Sequence, residues 1–273
     1  MAFPTTNLYV RYEAESEVAY TDGNTVTTAN DQGPNGIDLT VASTNKPTWK
    51  ESSINGLAAY RHNAGASVGI YSTLGTITPS AFTISAVVEL DSALTARGNV
   101  FGVFDEFVDQ FSINAGGTSG EWGARLRLSS GTLVDLVTSG ATTTNPAVLT
   151  LTWDGTTARF YVNGTEVDNG LLNNAATLNV DEIVIGSNAT AGAGEPLGGD
   201  VSLAAAWTTA LDATARADLH TYVQDTYGIT VSDTTYYGYA VVEDAATNVS
   251  SVLSLGSVTT TALAVRGFRL DFN

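Results

Sequence analysis

The chain has 273 residues, no cysteine, and a formal net charge of −17 from 28 acidic against 11 basic side chains. Without cysteine there are no disulfide staples, thiolate metal sites or Cys nucleophiles, so stability has to come from burial and strand pairing. So negative a chain repels phosphate backbones, which argues against a nucleic-acid partner, and no apolar run approaches the ~20 residues that span a bilayer.

Residues 7–20 read as a first strand running into a polar loop. Residues 21–56, rich in Asn, Asp, Gly, Thr and Pro, read as a long connection with short strands. Residues 82–90 form the cleanest strand: Phe82, Ile84, Ala86, Val88 and Leu90 point one way, Thr83, Ser85, Val87 and Glu89 the other. Residues 100–104 and 110–113 are short strands around an acidic loop. Trp122, Ala124, Leu126 and Leu128 then alternate with Gly123, Arg125 and Arg127.

A meander follows over 147–168. Leu149, Leu151 and Trp153 alternate with Thr150, Thr152 and Asp154; Asp154-Gly155 reverses the chain; Ala158, Phe160 and Val162 repeat the pattern. Asn163-Gly164 is the strongest short signal for a type I′ hairpin turn. Strands at 179–185 and 200–207 flank a Gly/Ala-rich loop. One helix comes next, with Asp212 as its N-cap, Gly228 as its left-handed C-terminal residue, and a stripe of Ala215, Leu219, Tyr222, Val223 and Thr226. Residues 231–273 carry further strand patterning but too little chain to enclose a core, so a hairpin there needs something to pair with.

The segment from Leu151 to Thr165 resembles the central hairpin of concanavalin A-like, laminin-G-type jelly-roll domains, common in bacterial and phage surface proteins. Asp31-Gln32-Gly33-Pro34-Asn35-Gly36, Ile54-Asn55-Gly56-Leu57 with Tyr60-Arg61, and the stretch from Leu211 to Ile229 resemble further motifs of that family. His62-Asn63-Ala64-Gly65 stands where the family usually has Phe-Asp-Gly. The segment from Thr235 to Thr260 resembles the last strands of a fibronectin-III or bacterial Ig-like domain, with Thr247 where Gly is usual. The expected fold is therefore all-β: a two-sheet antiparallel jelly-roll sandwich over 1–230 with one closing helix, then a C-terminal β-arm over 231–273, partly Ig-like.

Candidate sites are few. Glu13, Glu15 and Glu17 place three carboxylates at alternate positions, a spacing similar to the paired acids of β-sandwich glycosidases, although a solvated edge has the same pattern. Asp105, Glu106 and Asp109 put three oxygen donors within five residues and could hold Ca²⁺, which takes six to eight such ligands. The resemblance also implies a calcium-binding rim. His62 and His220 have no nucleophile motif beside them. The core is the expected place of all four tryptophans, with Trp153 and Trp207 in register with core positions; Trp122, which follows a Gly-rich loop, is the candidate for a ring that stacks on a sugar.

With no catalytic constellation, no basic and apolar leader at Met1-Ala2-Phe3-Pro4, and an arm suited to subunit pairing, the expectation is a non-enzymatic virion surface protein. A bacteriophage capsid decoration or a head- or tail-fibre component fits, oligomeric through its arm, with a capacity for glycan adhesion. The alternative is the glycan-binding module of a secreted bacterial enzyme or adhesin; a glycoside hydrolase built on Glu13, Glu15 or Glu17 ranks third.

Overall fold

The computed structural model describes residues 2–41, 46–63, 69–92, 97–105, 109–116, 121–128, 133–141, 144–172, 178–187, 195–232, 239–243 and 250–254. In chain order the strands are β1 (Leu8–Glu13), β2 (Thr28–Ala29), β3 (Leu39–Thr40), β4 (Thr48–Ile54), β5 (Leu57–His62) and β6 (Ile70–Ile77). Next come β7 (Phe82–Leu90), β8 (Gly98–Asp105), β9 (Asp109–Ala115), β10 (Glu121–Arg127), β11 (Leu133–Ala141) and β12 (Ala147–Trp153). They are followed by β13 (Thr157–Val162), β14 (Thr165–Leu171), β15 (Val180–Ile185), β16 (Gly199–Trp207), helix α1 (Ala213–Tyr227), β17 (Tyr239–Glu243) and β18 (Ser250–Ser254).

Two eight-stranded antiparallel sheets result. The first runs β14-β13-β12-β7-β16-β5-β4, with β1 added along β16; the second runs β11-β10-β9-β8-β15-β6-β3-β2. This is the expected jelly-roll sandwich. Its core lies between the sheets, where the inward faces of β7 and β12 meet Phe101, Val103, Phe111, Ile113, Ile183 and Ile185. Phe82 of one sheet meets Phe111 of the other edge to face at 5.6 Å, a favoured arrangement of ring quadrupoles.

The meander forms in the predicted register, Leu149 opposite Val162 and Trp153 opposite Ala158. Its Asn163-Gly164 turn has φ of 49° and 81°, as type I′ requires. A second Asn-Gly turn, Asn55-Gly56 with φ of 51° and 87°, joins β4 to β5. The sequence reading placed a long connection with short strands there and did not mark this hairpin, because alternation is weak in Trp49-Lys50-Glu51-Ser52-Ser53.

Helix α1 lies on the outer face of the first sheet and makes a second apolar layer. Val87, Val148, Leu203, Ala205 and Trp207 point outward from the strands and meet Leu219, Val223 and Tyr227. The predicted caps form: the Asp212 carboxylate accepts from the Ala215 backbone N–H at 2.8 Å, and Gly228 has φ 65°. Of the predicted stripe Leu219 and Val223 are buried and Ala215, Tyr222 and Thr226 half-buried, while Ala217, His220, Thr221 and Tyr227 complete the buried face. His220 fits there because β12 offers a hydroxyl: its Nε2 lies 3.0 Å from Thr150 Oγ1, which in turn is 2.9 Å from Ser85 Oγ.

β17 and β18 pair with each other in a separate two-stranded sheet, Tyr239 opposite Ser254. The chain before them stays pinned to the sandwich through Ser232: Val231 is buried in the helix layer, and the Ser232 N–H donates to the Asn163 carbonyl at 3.0 Å. Residues 255–273 and most of the Ig-like segment lie outside the described residues.

Candidate functional site

α1 covers only part of the sheet beneath it. β7 and β16 continue past the helix, and there their outward residues change character. In β16 the register shifts between Val201, opposite Val88, and Leu203, opposite Val87. This bulge lets Asp200 and Leu203 both face outward, Asp200 opposite Glu89. On its other side Asp200 is opposite Arg61 of β5. Ser52 and Ser53 of β4, Asp91 just past β7, and Thr144 and Asn145 before β12 complete a polar cleft of about 540 Å³ with Leu90 at its edge.

Asp200 is the fixed point of the cleft. It is only 2% exposed. Its Oδ1 accepts from Arg61 Nε at 2.5 Å, and its Oδ2 accepts from Arg61 Nη2 at 2.6 Å and from Ser53 Oγ at 2.5 Å. The guanidinium fork of Arg61 is thus spent on one carboxylate, the strongest geometry for such a pair. Arg61 Nη2 also lies 3.1 Å from Asp91 Oδ1. The hydrogen bonds to Asp200 raise the Arg61 pKa further, so it stays charged. Burial and the neighbouring Asp200 charge push the Glu89 carboxyl above its ordinary range. Three carboxylates (Glu89, Asp91, Asp200) against one guanidinium leave the lining with a charge of −3 + 1 = −2.

Such a lining can exchange hydrogen bonds with a polyhydroxylated ligand. Asp200, held by three donors, is a buttress for Arg61 rather than a mobile base. Burial in the cleft is partial, and groups that face it stay within reach of solvent.

The residues singled out from the sequence go elsewhere. β1 ends at Glu13 and a 3₁₀ turn (Ala14–Ser16) follows, so Glu13, Glu15 and Glu17 do not share a face. Glu13 is buried under α1, where it accepts from Tyr222 Oη at 2.6 Å and Tyr227 Oη at 2.8 Å and pairs with Arg11. Arg11 lies 4.3 Å from the centroid of the Phe3 ring. Glu15 accepts from the Ala58 N–H at 2.8 Å. Glu17 is buried and accepts from the Asn30 N–H at 2.7 Å and from Tyr60 Oη at 2.8 Å. All three tie the first segment to its neighbours: Glu13 and Glu17 are buried rather than on a solvated edge, Glu15 is exposed, and the three do not form the one-faced row of acids that the glycosidase reading needs.

Trp122 is 4% exposed, so its ring belongs to the core rather than to a stacking surface. Its alternation with Ala124 and Leu126 on β10 turns it inward with them. Trp49, Trp153 and Trp207 are buried as well. Of the proposed calcium ligands, Asp105 and Asp109 are cross-strand partners at the end of the β8–β9 hairpin, and Glu106 lies outside the described residues. Asp109 is fully buried, and its Oδ2 accepts from the Asn179 N–H at 2.6 Å, a structural task. Among the described residues no three His, Cys, Asp or Glu side chains are grouped to hold a metal ion. His62, on the inward side of β5, is wholly buried, and its ring nitrogens meet no hydrogen-bond partner. Burial lowers its pKa to about 4.

The cleft itself was not anticipated. Glu89 was read as the polar side of its strand and Tyr60-Arg61 as part of a family motif; nothing in one sequence joins them to Asp200.

Known proteins agree with the fold. The profile of the concanavalin A-like lectin/glucanases superfamily matches residues 62–215. The binding domain of Paraclostridial Mosquitocidal Protein 1 is similar, with 14% identity and a TM-score of 0.61 over 88% of this chain and 62% of that one. Domain 4 of an extracellular arabinanase from Geobacillus stearothermophilus, solved with arabinotriose, has 17% identity and a TM-score of 0.56 over 78% of this chain and 98% of that one. A sialidase from Trypanosoma rangeli has 15% identity and a TM-score of 0.55 over 83% of this chain but only 34% of that one. The chain thus spans less than two thirds of the mosquitocidal binding domain and about a third of the sialidase. No curated protein matches it by sequence. Among the described residues no helix is long and apolar enough to cross a membrane.

Proposed function

Because the chain belongs to the concanavalin A-like lectin/glucanases superfamily, we propose that it is a non-catalytic glycan-binding protein whose contact surface is the cleft beside α1. The observation that carries this is the Arg61–Asp200–Ser53 arrangement: a buried carboxylate held by three donors and opening, through the half-buried Arg61, onto a concave polar space. Sugars are recognised by donors and acceptors held in place before the ligand arrives, since preorganisation lowers the cost of binding. Two of the similar structures are the binding domain of a mosquitocidal protein and an arabinotriose-bound domain, which supports a binding role on this fold, while fold alone never assigns one. The absence of turnover is part of the proposal and is motivated by Glu13, Glu15 and Glu17, which are each occupied in holding the fold together.

The test is a glycan microarray followed by calorimetry on the hits. Ser52, exposed at the cleft, is replaced by Trp to block it without touching the ion pair. Binding that disappears in Ser52→Trp at an unchanged melting temperature supports the proposal. Binding that survives places the contact surface elsewhere, and release of new reducing ends from any bound polysaccharide refutes the non-catalytic assignment.

The finer placement is on a virus particle, a bacteriophage capsid decoration or a head- or tail-fibre subunit, with residues 231–273 as the arm that joins subunits. It rests on the β17–β18 hairpin, which is marginal as an isolated pair and gains by adding to another sheet. Truncation after Ser232 is expected to leave the sandwich folded by circular dichroism and to reduce the assembled mass in light scattering. An assembly of unchanged mass would refute the arm's role. A glycan-binding module of a secreted bacterial enzyme or adhesin uses the same cleft and needs no arm.

A further inference from the structure

We infer that the cleft discriminates between saccharides by charge, in the order amine-bearing, then neutral, then carboxylate-bearing. This deepens the glycan-binding proposal and rests on it. Two independent features point the same way.

The first is the state of the only guanidinium in the lining. Proteins take hold of an anionic sugar most effectively with an arginine whose fork meets the sugar carboxylate through two parallel N–H donors. In this cleft that fork is already closed. Arg61 Nε and Nη2 both donate to Asp200, at 2.5 and 2.6 Å, and Nη2 is shared with Asp91 at 3.1 Å. An incoming carboxylate would have to displace Asp200, which is almost fully buried and also accepts from Ser53. Leaving a buried carboxylate unpaired is heavily penalised, so the exchange does not favour the ligand.

The second is the distribution of charge around that pair. Asp200 neutralises Arg61, and the remaining carboxylates are Glu89, directly across the strand pair from Asp200, and Asp91 at the rim. Burial first, and then repulsion by Asp200, hold the Glu89 carboxyl above its ordinary range, with Arg61 acting against them. An ammonium group placed between Glu89 and Asp91 would relieve that repulsion; a hydroxyl would be tolerated; a carboxylate would add to it. The polar remainder (Ser52, Thr144, Asn145) contacts hydroxyls of any sugar and sets no charge preference.

The experiment uses the full chain at pH 7 and low salt on matched glycan sets: glucose, glucosamine and glucuronate forms of one β-linked backbone, and galactose, galactosamine and galacturonate forms of another. Each amine-bearing member is expected to bind about tenfold tighter than its neutral counterpart, and each carboxylate-bearing member about tenfold weaker, as expected for one added interaction with a partly exposed charge. The spread should shrink in 0.5 M salt. In the double variant Glu89→Gln/Asp91→Asn it should collapse at a near-constant melting temperature. Carboxylate-bearing members that bind as tightly as neutral ones overturn the charge rule and leave glycan binding standing. A spread that persists in the folded double variant also overturns it, because these two side chains would then not be its source. No binding to any member of any set overturns the glycan-binding proposal itself.

Discussion

The outer face of the first sheet has two halves built on the same strands. Along β7, Val87 lies under α1 and Glu89 lies beyond it; along β16, Leu203, Ala205 and Trp207 lie under the helix layer and Asp200 beyond. In the covered half Thr83, Ser85 and Thr150 each have a protein partner. Thr83 Oγ1 donates to the Thr209 carbonyl and accepts from the Leu211 N–H, and Ser85, Thr150 and His220 form a closed chain. In the open half charge is retained, with one pair buried only on its carboxylate side and two carboxylates that face the cleft. Burial under a helix demands that hydrogen bonds be closed within the protein, whereas an open surface can keep groups whose partners are exchangeable. A single strand can therefore serve stability at one end and binding at the other.

The largest expected effect lies in the covered half. Trp207 is buried, stacks on Phe3 at 5.6 Å, and donates its indole N–H to the Pro4 carbonyl at 3.1 Å. Trp207→Ala is expected to destabilise the chain by about 4 kcal/mol, read as a lower urea midpoint at constant slope, with glycan affinity retained below the transition. A loss of affinity in the folded variant would show that the halves are not separable.

The next effect comes from the inward side of the open half. β5 turns Arg61 outward to the cleft and His62 inward to the core. With the folded pKa of His62 lowered to about 4, the unfolded chain takes up the proton first. Stability is thus complete above pH 6.5 and falls as pH drops toward 4, by about 3 kcal/mol from this group. His62→Leu should flatten that part of a stability profile measured by chemical denaturation. An identical profile would assign the acid sensitivity to other groups.

Smaller still is Asp200→Asn. It leaves Arg61, about a third exposed, without its charged partner, and should cost about 2 kcal/mol together with most of the binding. Asp91, nearly half exposed, is the smallest: Asp91→Asn should change stability by less than about 0.5 kcal/mol while altering charge preference. A thermal melt reads both, and equal losses would erase the distinction between buttress and rim.

The covered half was largely legible in the sequence and the open half was not. β7, the meander and the caps of α1 are local patterns, in which alternation, Asn-Gly and Gly228 act on near neighbours. The cleft joins Ser53, Arg61, Glu89 and Asp200, whose contacts reach across 147 positions and depend on a bulge that no local signal announces. Residue type misled in both directions. Glu13 and Glu17 read as solvated but are buried, because Tyr60, Tyr222 and Tyr227 come from distant elements to hold them. Trp122 stood out as the candidate for an exposed ring because of the loop before it, yet strand alternation took it to the core, the fate expected of all four tryptophans.

The central claim, that the half of the sheet not covered by α1 is the binding surface, is tested most directly by amide chemical-shift mapping of the full chain with the tightest saccharide found on the array. The account predicts shifts at Ser52, Ser53, Arg61, Glu89, Asp91 and Asn145, with the amides of α1 unmoved. Shifts confined to the second sheet or to residues 239–254, with the cleft amides silent, would contradict it.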